Sequence, residues 1–281
     1  MRLRYVEPVH IENVFAQPRD VLTQPSVTVD VHLRNQQGTL FNGALYLALR
    51  DANGDLLVEH DASAAAEVGT TSVVRLNLAS LPPITLWSLD NPTLYSLDVE
   101  LRDGSATIDR YPVRFGFREA IFRDDGFYLN GERLDLMGLN RHQTYPYIGA
   151  AAPARLQRKD ADILKDELGV NIVRTSHYPQ SPHFIDRCDE IGLLVFEEIP
   201  GWQHIGDAAW QQISLRDVRA MIERDWNRPA IVLWGVRINE SLDNTDFYTA
   251  TNKLAHELDP TRQTGGVRFW QHSEFLEDVY T

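Results

Sequence analysis

Four clusters of polar residues in this sequence each follow a short apolar run. Asn140, Arg141 and His142 follow RLDLMGL, and Arg174, Ser176, His177 and Tyr178 close a run that begins at Val170. Glu197 and Glu198 close LLVF, and Asn239 and Glu240 come a few residues after AIVLW. Carboxylates and histidines are the groups from which general acid–base catalysis is built. Taken singly, each also has an ordinary reading. An Asn-Glu pair more often starts a helix with a solvated carboxylate, and loop histidines more often satisfy loop carbonyls. Glu197 and Glu198 are neighbours on one strand, so one points inward and one outward, and at least one is structural. Arg174 faces either the interior of a barrel or a covering helix, and an inward arginine needs a carboxylate partner.

The elements that position these clusters fall into two halves. Residues 27–33 (VTVDVHL), 44–49 (ALYLAL), 73–78 (VVRLNL) and 94–101 (LYSLDVEL) alternate apolar and polar residues, as strands with one buried face do. DANGD at 51–55 and Asp103-Gly104 supply turns, and no convincing helix interrupts the series, which implies a sandwich. Around residues 111–118 (YPVRFGFR) the pattern changes to short strands alternating with amphipathic helices. Strands are expected at 133–139, 170–175, 193–197, 230–234 and 263–269, and helices at 154–168, 182–191, 215–226 and 247–258. Such βα repetition suits a barrel or an open doubly wound sheet, and periodicity alone does not choose between them. No Gly-rich phosphate-binding loop follows any strand, which weighs against the nucleotide-binding sheet. In a barrel, the strand C-termini converge on one face, and the four polar clusters would share a site there.

Composition sets outer bounds. The 281 residues suffice for two domains with their own cores. With 40 acidic and 27 basic residues, the formal net charge of −13 repels phosphate backbones and anionic lipid, so nucleic acid is not an expected partner. No segment reaches the roughly 20 apolar residues of a membrane span, and residues 1–10 lack the apolar run of a signal peptide. No membrane partner is expected, and a cytoplasmic location is. The single cysteine, Cys188, excludes an internal disulfide and reads as a small buried residue.

Residues 171–179 (NIVRTSHYP) with 189–196 (DEIGLLVF), and residues 224–240 (RDWNRPAIVLWGVRINE), resemble the two signatures of family 2 glycoside hydrolases. Residues 87–95 (WSLDNPTLY), 116–118 (GFR) and 138–142 (GLNRH) are similar to the family pattern and stand in the family's order. The resemblance implies an immunoglobulin-like β-sandwich at 1–116, followed at 117–281 by about five βα units of a (β/α)₈ TIM barrel. It also implies a retaining β-glycosidase, whose two carboxyls stand about 5–5.5 Å apart. Glu240 matches the acid/base, Asn239 the partner of the sugar 2-hydroxyl, and Asn140, His142, Arg174 and His177 the sugar-binding positions. Trp202 and Trp234 suit either the core or a sugar face, with the core first for Trp234. Residues 138–147 (GLNRHQTYPY) look most like the β-galactosidase branch, ahead of glucuronidases and mannosidases.

The resemblance also sets expectations of absence. Many β-galactosidases of the family bind Mg²⁺ beside the acid/base through a Glu and a His. His204 is in place, but Trp202 stands where that glutamate would be, so no cofactor is expected. A carbohydrate is the expected partner. No glutamate after Glu240 fits the nucleophile: Glu257 lies in a helical pattern, and Glu274 and Glu277 lie in an acidic stretch. The chain therefore reads as a fragment with half of a two-carboxylate site, inactive by itself. The other readings are a non-catalytic carbohydrate-binding fragment and an unrelated esterase, the latter disfavoured by the absence of a Gly-x-Ser-x-Gly elbow.

Overall fold

A computed structural model describes residues 4–281. The chain divides into two units, Met1–Leu86 with Thr93–Arg118, and Trp87–Pro92 with Glu119–Thr281. The first is an antiparallel two-sheet sandwich. Strands β1 (Val9–Arg19), β2 (Ser26–Asn35) and β5 (Thr71–Leu78) form one sheet in the order β1-β2-β5. Strands β3 (Phe41–Arg50), β4 (Leu56–Ala66), β6 (Tyr95–Asp103) and β7 (Ala106–Phe115) form the other, in the order β4-β3-β6-β7. Alternation builds the core. Val27, Val29, Val31 and Leu33 of β2 face Leu45, Leu47 and Leu49 of β3 and Leu97, Val99 and Leu101 of β6 within one buried cluster. Each such side chain contributes roughly 1.5–3 kcal/mol on burial.

Three sandwich strands escape a reading by alternation, each for a physical reason. In β1 a bulge between Ile11 and Asn13 reverses the phase, so Val9 and Ile11 precede the break and Val14 and Ala16 follow it. β4 is an edge strand, largely exposed and rich in Ala, and carries little apolar signal. β7 is the other edge of its sheet, where Pro112 is tolerated because one side of the strand needs no ladder.

In the second unit, β8 (Ala120–Arg123), β9 (Gly126–Leu129) and β10 (Glu132–Leu134) form a small antiparallel sheet. Six parallel strands then stand side by side in chain order: β11 (Gly138–Arg141), β12 (Ile172–Thr175), β13 (Leu194–Glu198), β14 (Ile231–Gly235), β15 (Gln263–Gly266) and β16 (Val279–Tyr280). A doubly wound sheet reverses its strand order at a switch point, whereas this order never reverses. The second unit is therefore a partial TIM barrel, with β11 and β16 as edge strands, and the first is an immunoglobulin-like sandwich. The single strand expected at 133–139 is in fact two, because residues 135–137 leave β10 in the small sheet and restart as β11 in the barrel sheet.

The helices are α1 (Ala154–Asp162), continued by a π-helical turn (Ile163–Glu167), then α2 (Pro182–Ile191), α3 (Ala208–Asp225) and α4 (Thr245–Leu258). α3 starts before its apolar periodicity does, because the Asp207 carboxylate caps it by accepting from Trp210 N at 3.0 Å. α2 opens with Pro182 and stops at Gly192, whose φ of 72° suits a left-handed cap. A Cβ at Gly192 would stand 2.3 Å from the Leu89 carbonyl oxygen, so the segment Trp87–Pro92 needs this glycine to pack. Trp87, wholly buried, fixes that segment by donating Nε1–H to Asp189 O at 2.8 Å.

Candidate active site

The site is assembled where β11 to β14 end. Register puts Asn140 of β11, Arg174 of β12 and Phe196 of β13 in one row. The next residue along β11, Arg141, points the other way. It pairs with Asp160 of α1, donates to Gln157 and Gln180, and lies 4.1 Å from the Phe184 ring of α2. β13 divides its two glutamates in the same manner. Glu197 faces α3, pairs with Arg224 at 3.0 Å, and is raised well above its ordinary pKa by burial and by the neighbouring Asp225. Glu198, two residues past Phe196, joins Arg174.

That pairing is the centre of the cluster. Arg174 Nε donates to Glu198 Oε1 at 2.6 Å and Nη2 to Oε2 at 3.1 Å, a two-pronged contact to a carboxylate that is only 1% exposed. The Thr175 hydroxyl accepts from Glu198 N at 2.9 Å. His177 Nδ1 lies 3.3 Å from both Glu198 Oε2 and Arg174 Nη2, and its ring stands edge-on to His142, with centroids 5.4 Å apart. Burial outweighs the arginine and holds the Glu198 carboxyl above its ordinary pKa. Arg174 Nη2 also donates to Asn239 Oδ1, which turns Asn239 Nδ2 away from the arginine. That Nδ2 is buried and meets no acceptor at good hydrogen-bonding geometry among the described residues, but Asn239 lies near enough to Glu240 to add the weakest of the influences that hold its carboxyl ionised.

Glu240 lies outside this ion pair. Its backbone is left-handed, with φ of 50°, and its N–H donates to Val267 O at 3.0 Å beyond the end of β15. Its Oε2 accepts from Trp202 Nε1 at 3.2 Å and Gln203 Nε2 at 3.1 Å, both on the loop after β13. These two donors, aided by the nearby His177, hold the carboxyl below its ordinary pKa. The carboxylate is therefore ionised at neutral pH and reachable from solvent.

Of the residues singled out in the sequence, His142, His177, Arg174, Asn239 and Glu240 are gathered here. Asn140 shares the register row but sits exposed on the edge strand and makes no hydrogen bond to the others among the described residues. Trp234 is buried, its Nε1 donating to Asp259 at 2.9 Å, whereas Trp202 is 62% exposed. Two participants carried little signal. Glu198 shares the parity of Phe196, but alternation alone does not say which parity faces inward, and Gln203 has no pattern that marks it. A cavity of about 770 Å³ between the small sheet and β16, lined by residues such as Phe122, Leu134 and Tyr280, shares no residue with this cluster.

Residues 121–277 match the family model for the TIM barrel domain of glycosyl hydrolases family 2, and residues 9–118 match the family 2 model that precedes it. The chain belongs to glycosyl hydrolase family 2. Over 276 residues it is 50% identical to a β-galactosidase of Thermoanaerobacterium thermosulfurigenes, a match covering 98% of this chain and 38% of that protein. It is 61% identical over 200 residues to a β-galactosidase of Thermoanaerobacter pseudethanolicus, covering 71% and 27%. A family 2 member from Bacteroides cellulosilyticus superposes with a TM-score of 0.86 at 26% identity, covering 94% of this chain and 37% of that one. A β-glucuronidase of Parabacteroides merdae superposes with a TM-score of 0.83 at 28% identity, covering 97% and 36%. The chain thus spans well under half the length of these relatives. No helix among the described residues is long and apolar enough to cross a membrane.

The residues beside Glu240 do not fit the Mg²⁺ site of the family's β-galactosidases. Mg²⁺ requires oxygen ligands, whereas Trp202 and Gln203 present N–H donors to Glu240 Oε2. Among the described residues, no group of three or more His, Cys, Asp or Glu is placed to hold a metal ion.

Proposed function

We propose that this chain carries the acid/base half of the active site of a retaining exo-β-glycosidase that removes terminal β-galactosyl residues by double displacement. The observation that carries the reading is the buried Nδ2 of Asn239, which meets no acceptor at good hydrogen-bonding geometry among the described residues and is held by Arg174 beside the accessible carboxylate of Glu240. A buried donor without a partner costs about 1–3 kcal/mol and is retained where a ligand supplies the acceptor. A sugar 2-hydroxyl supplies it here, in a contact that strengthens in the oxocarbenium-like transition state. His142, His177 and Asn140 bind further hydroxyls of the same sugar, and the exposed ring of Trp202 offers an apolar face beside it.

In the first step Glu240, protonated, gives its proton to the glycosidic oxygen as a second carboxylate attacks the anomeric carbon and the C–O bond breaks. In the second, Glu240 takes a proton from water, which attacks the same carbon and releases the second carboxylate. Glu198 does not serve as that nucleophile, since both of its oxygens are engaged by Arg174 and it is buried. We infer that the nucleophile comes from a segment outside these 281 residues. A second carboxylate about 5–5.5 Å from Glu240 would raise its pKa toward that of a working acid.

The test is complementation. The chain alone is expected to give no turnover of nitrophenyl β-galactoside. Adding the remaining barrel segment of the Thermoanaerobacterium relative should restore turnover that Glu240→Gln abolishes. Faster hydrolysis of the β-glucuronide would replace the sugar, as the Parabacteroides structural relative makes a natural comparison. No hydrolysis of any β-glycoside by the complemented protein would remove the catalytic reading.

A further inference from the structure

We propose that Trp202 and Gln203 are positioning residues for Glu240, holding Oε2 with two N–H groups so that Oε1 is the oxygen that gives and takes the proton. The inference rests on the reading of Glu240 as the acid/base. Its geometric basis is that both donors, the indole at 3.2 Å and the amide at 3.1 Å, converge on a single oxygen. An indole N–H can only donate. A proton on Oε2 takes up one of the lone pairs that accept from the two N–H groups and weakens that pair of hydrogen bonds, whereas a proton on Oε1 leaves both intact. The two donors thus choose the protonated oxygen in the acid form, and they support the charge in the base form.

The contacts are not needed to hold the loop. Its backbone is already fastened: Gln203 N donates to Asn239 O at 2.7 Å, Gly201 N donates to His177 O at 3.1 Å, and Trp202 pairs with Asn239 as a parallel bridge. Nor does core packing hold the indole, since Trp202 is 62% exposed. An exposed ring with its only polar atom committed to one carboxylate orients that carboxylate. The fixed backbones at both ends, with φ of 60° at Gln203 and 50° at Glu240, keep the side chains in reach.

The experiment uses the ¹⁵N-labelled, Glu-¹³C-labelled chain without substrate. Its six indole N–H signals are followed across the acid range, and Trp202→Phe identifies the signal of Trp202. The Trp202 signal is expected to move with protonation of Glu240 and to stop moving in Glu240→Gln. The titration midpoint of the Glu240 carboxyl should rise in Trp202→Phe and in Gln203→Ala, and rise further in the double variant. A loop contact without a positioning role would leave that midpoint where it is. An unmoved midpoint in the double variant, or a Trp202 signal that titrates unchanged in Glu240→Gln, would overturn the inference. Because no readout needs turnover, the two readings fail separately. Coupling without hydrolysis after complementation defeats the catalytic reading, and hydrolysis without coupling defeats only the positioning role.

Discussion

Glu198 ends β13 and Glu240 follows the neighbouring strand β14, and their surroundings are opposite. Glu198 ends a strand, is 1% exposed, and has both oxygens held by one guanidinium. Glu240 lies past a strand on left-handed backbone, partly exposed, with Oε2 held by two neutral donors that leave Oε1 unengaged by them. Burial pushes the first carboxyl up in pKa, and the N–H donors pull the second down. The difference separates a framework carboxylate, which fixes the arginine and through it Asn239, from the one proposed to work, whose Oε1 the two loop donors leave unengaged. A perturbed carboxyl in a cleft thus marks function only when its partners leave something free to react.

The comparison makes its largest claim about stability. Glu198→Ala leaves the Arg174 guanidinium, whose side chain is 16% exposed, without its carboxylate. Breaking a buried pair by removing one partner costs about 3–5 kcal/mol. With some solvent still reaching Arg174, we expect about 3 kcal/mol, or roughly 6–12 °C in Tm for a unit of this size. All six tryptophans, at 87, 202, 210, 226, 234 and 270, fall in the second unit, so indole fluorescence during thermal unfolding reports that unit alone. A Tm within about 2 °C of the parent chain would mean that Glu198 is not a framework group.

What the sequence could disclose follows the same division. The apolar alternation of β2, β3 and β6 and the βα rhythm from residue 138 onward are period signals, and the elements appear where those signals lie. Signals failed where the chain broke its own period, at the β1 bulge and at the β10–β11 junction, and where edge strands carried little apolar content. In the site, residues of distinctive chemistry such as Arg174, His177 and Glu240 could be named in advance. The partner of Arg174 could not, because parity alone left Glu197 and Glu198 symmetric until the fold placed α3 behind one of them. Gln203 acts through the path of a loop, which no local pattern records.

A second prediction concerns pH. A carboxyl raised in the native state binds protons that the unfolded chain has already lost. Its contribution to stability therefore falls as pH climbs from the ordinary carboxylate value through the raised one. Glu198 and Glu197 both act in this sense. Glu240, lowered in the native state, acts in the other: its contribution is present above the ordinary value and is lost as pH falls through the lowered one. Urea unfolding across the acid to neutral range should show that Glu198→Gln removes part of the decline with rising pH. Glu240→Gln should leave that decline in place. Equal slopes for the parent chain and Glu198→Gln would show that Glu198 titrates alike in the folded and unfolded chains.

The smallest effect should come from Glu240→Gln at neutral pH, and its smallness is itself the claim. The substitution keeps the length of the side chain and an oxygen that can accept from Trp202 Nε1 and Gln203 Nε2, the two contacts made by Oε2. It leaves no buried cation unpaired, because Arg174 is satisfied by Glu198 and Asn239. The backbone bond from residue 240 to Val267 O does not involve the side chain. Nothing in the usual list of large destabilising causes applies, so the change in stability should stay within about ±0.5 kcal/mol. Urea unfolding of the second unit, followed by indole fluorescence, resolves a difference of that size when both proteins share one slope. Should Glu240→Gln instead lose as much as Glu198→Ala, the loop clamp would be holding the fold rather than the carboxylate. Both glutamates would then be framework groups, and the strand ends would hold no spare carboxylate for chemistry.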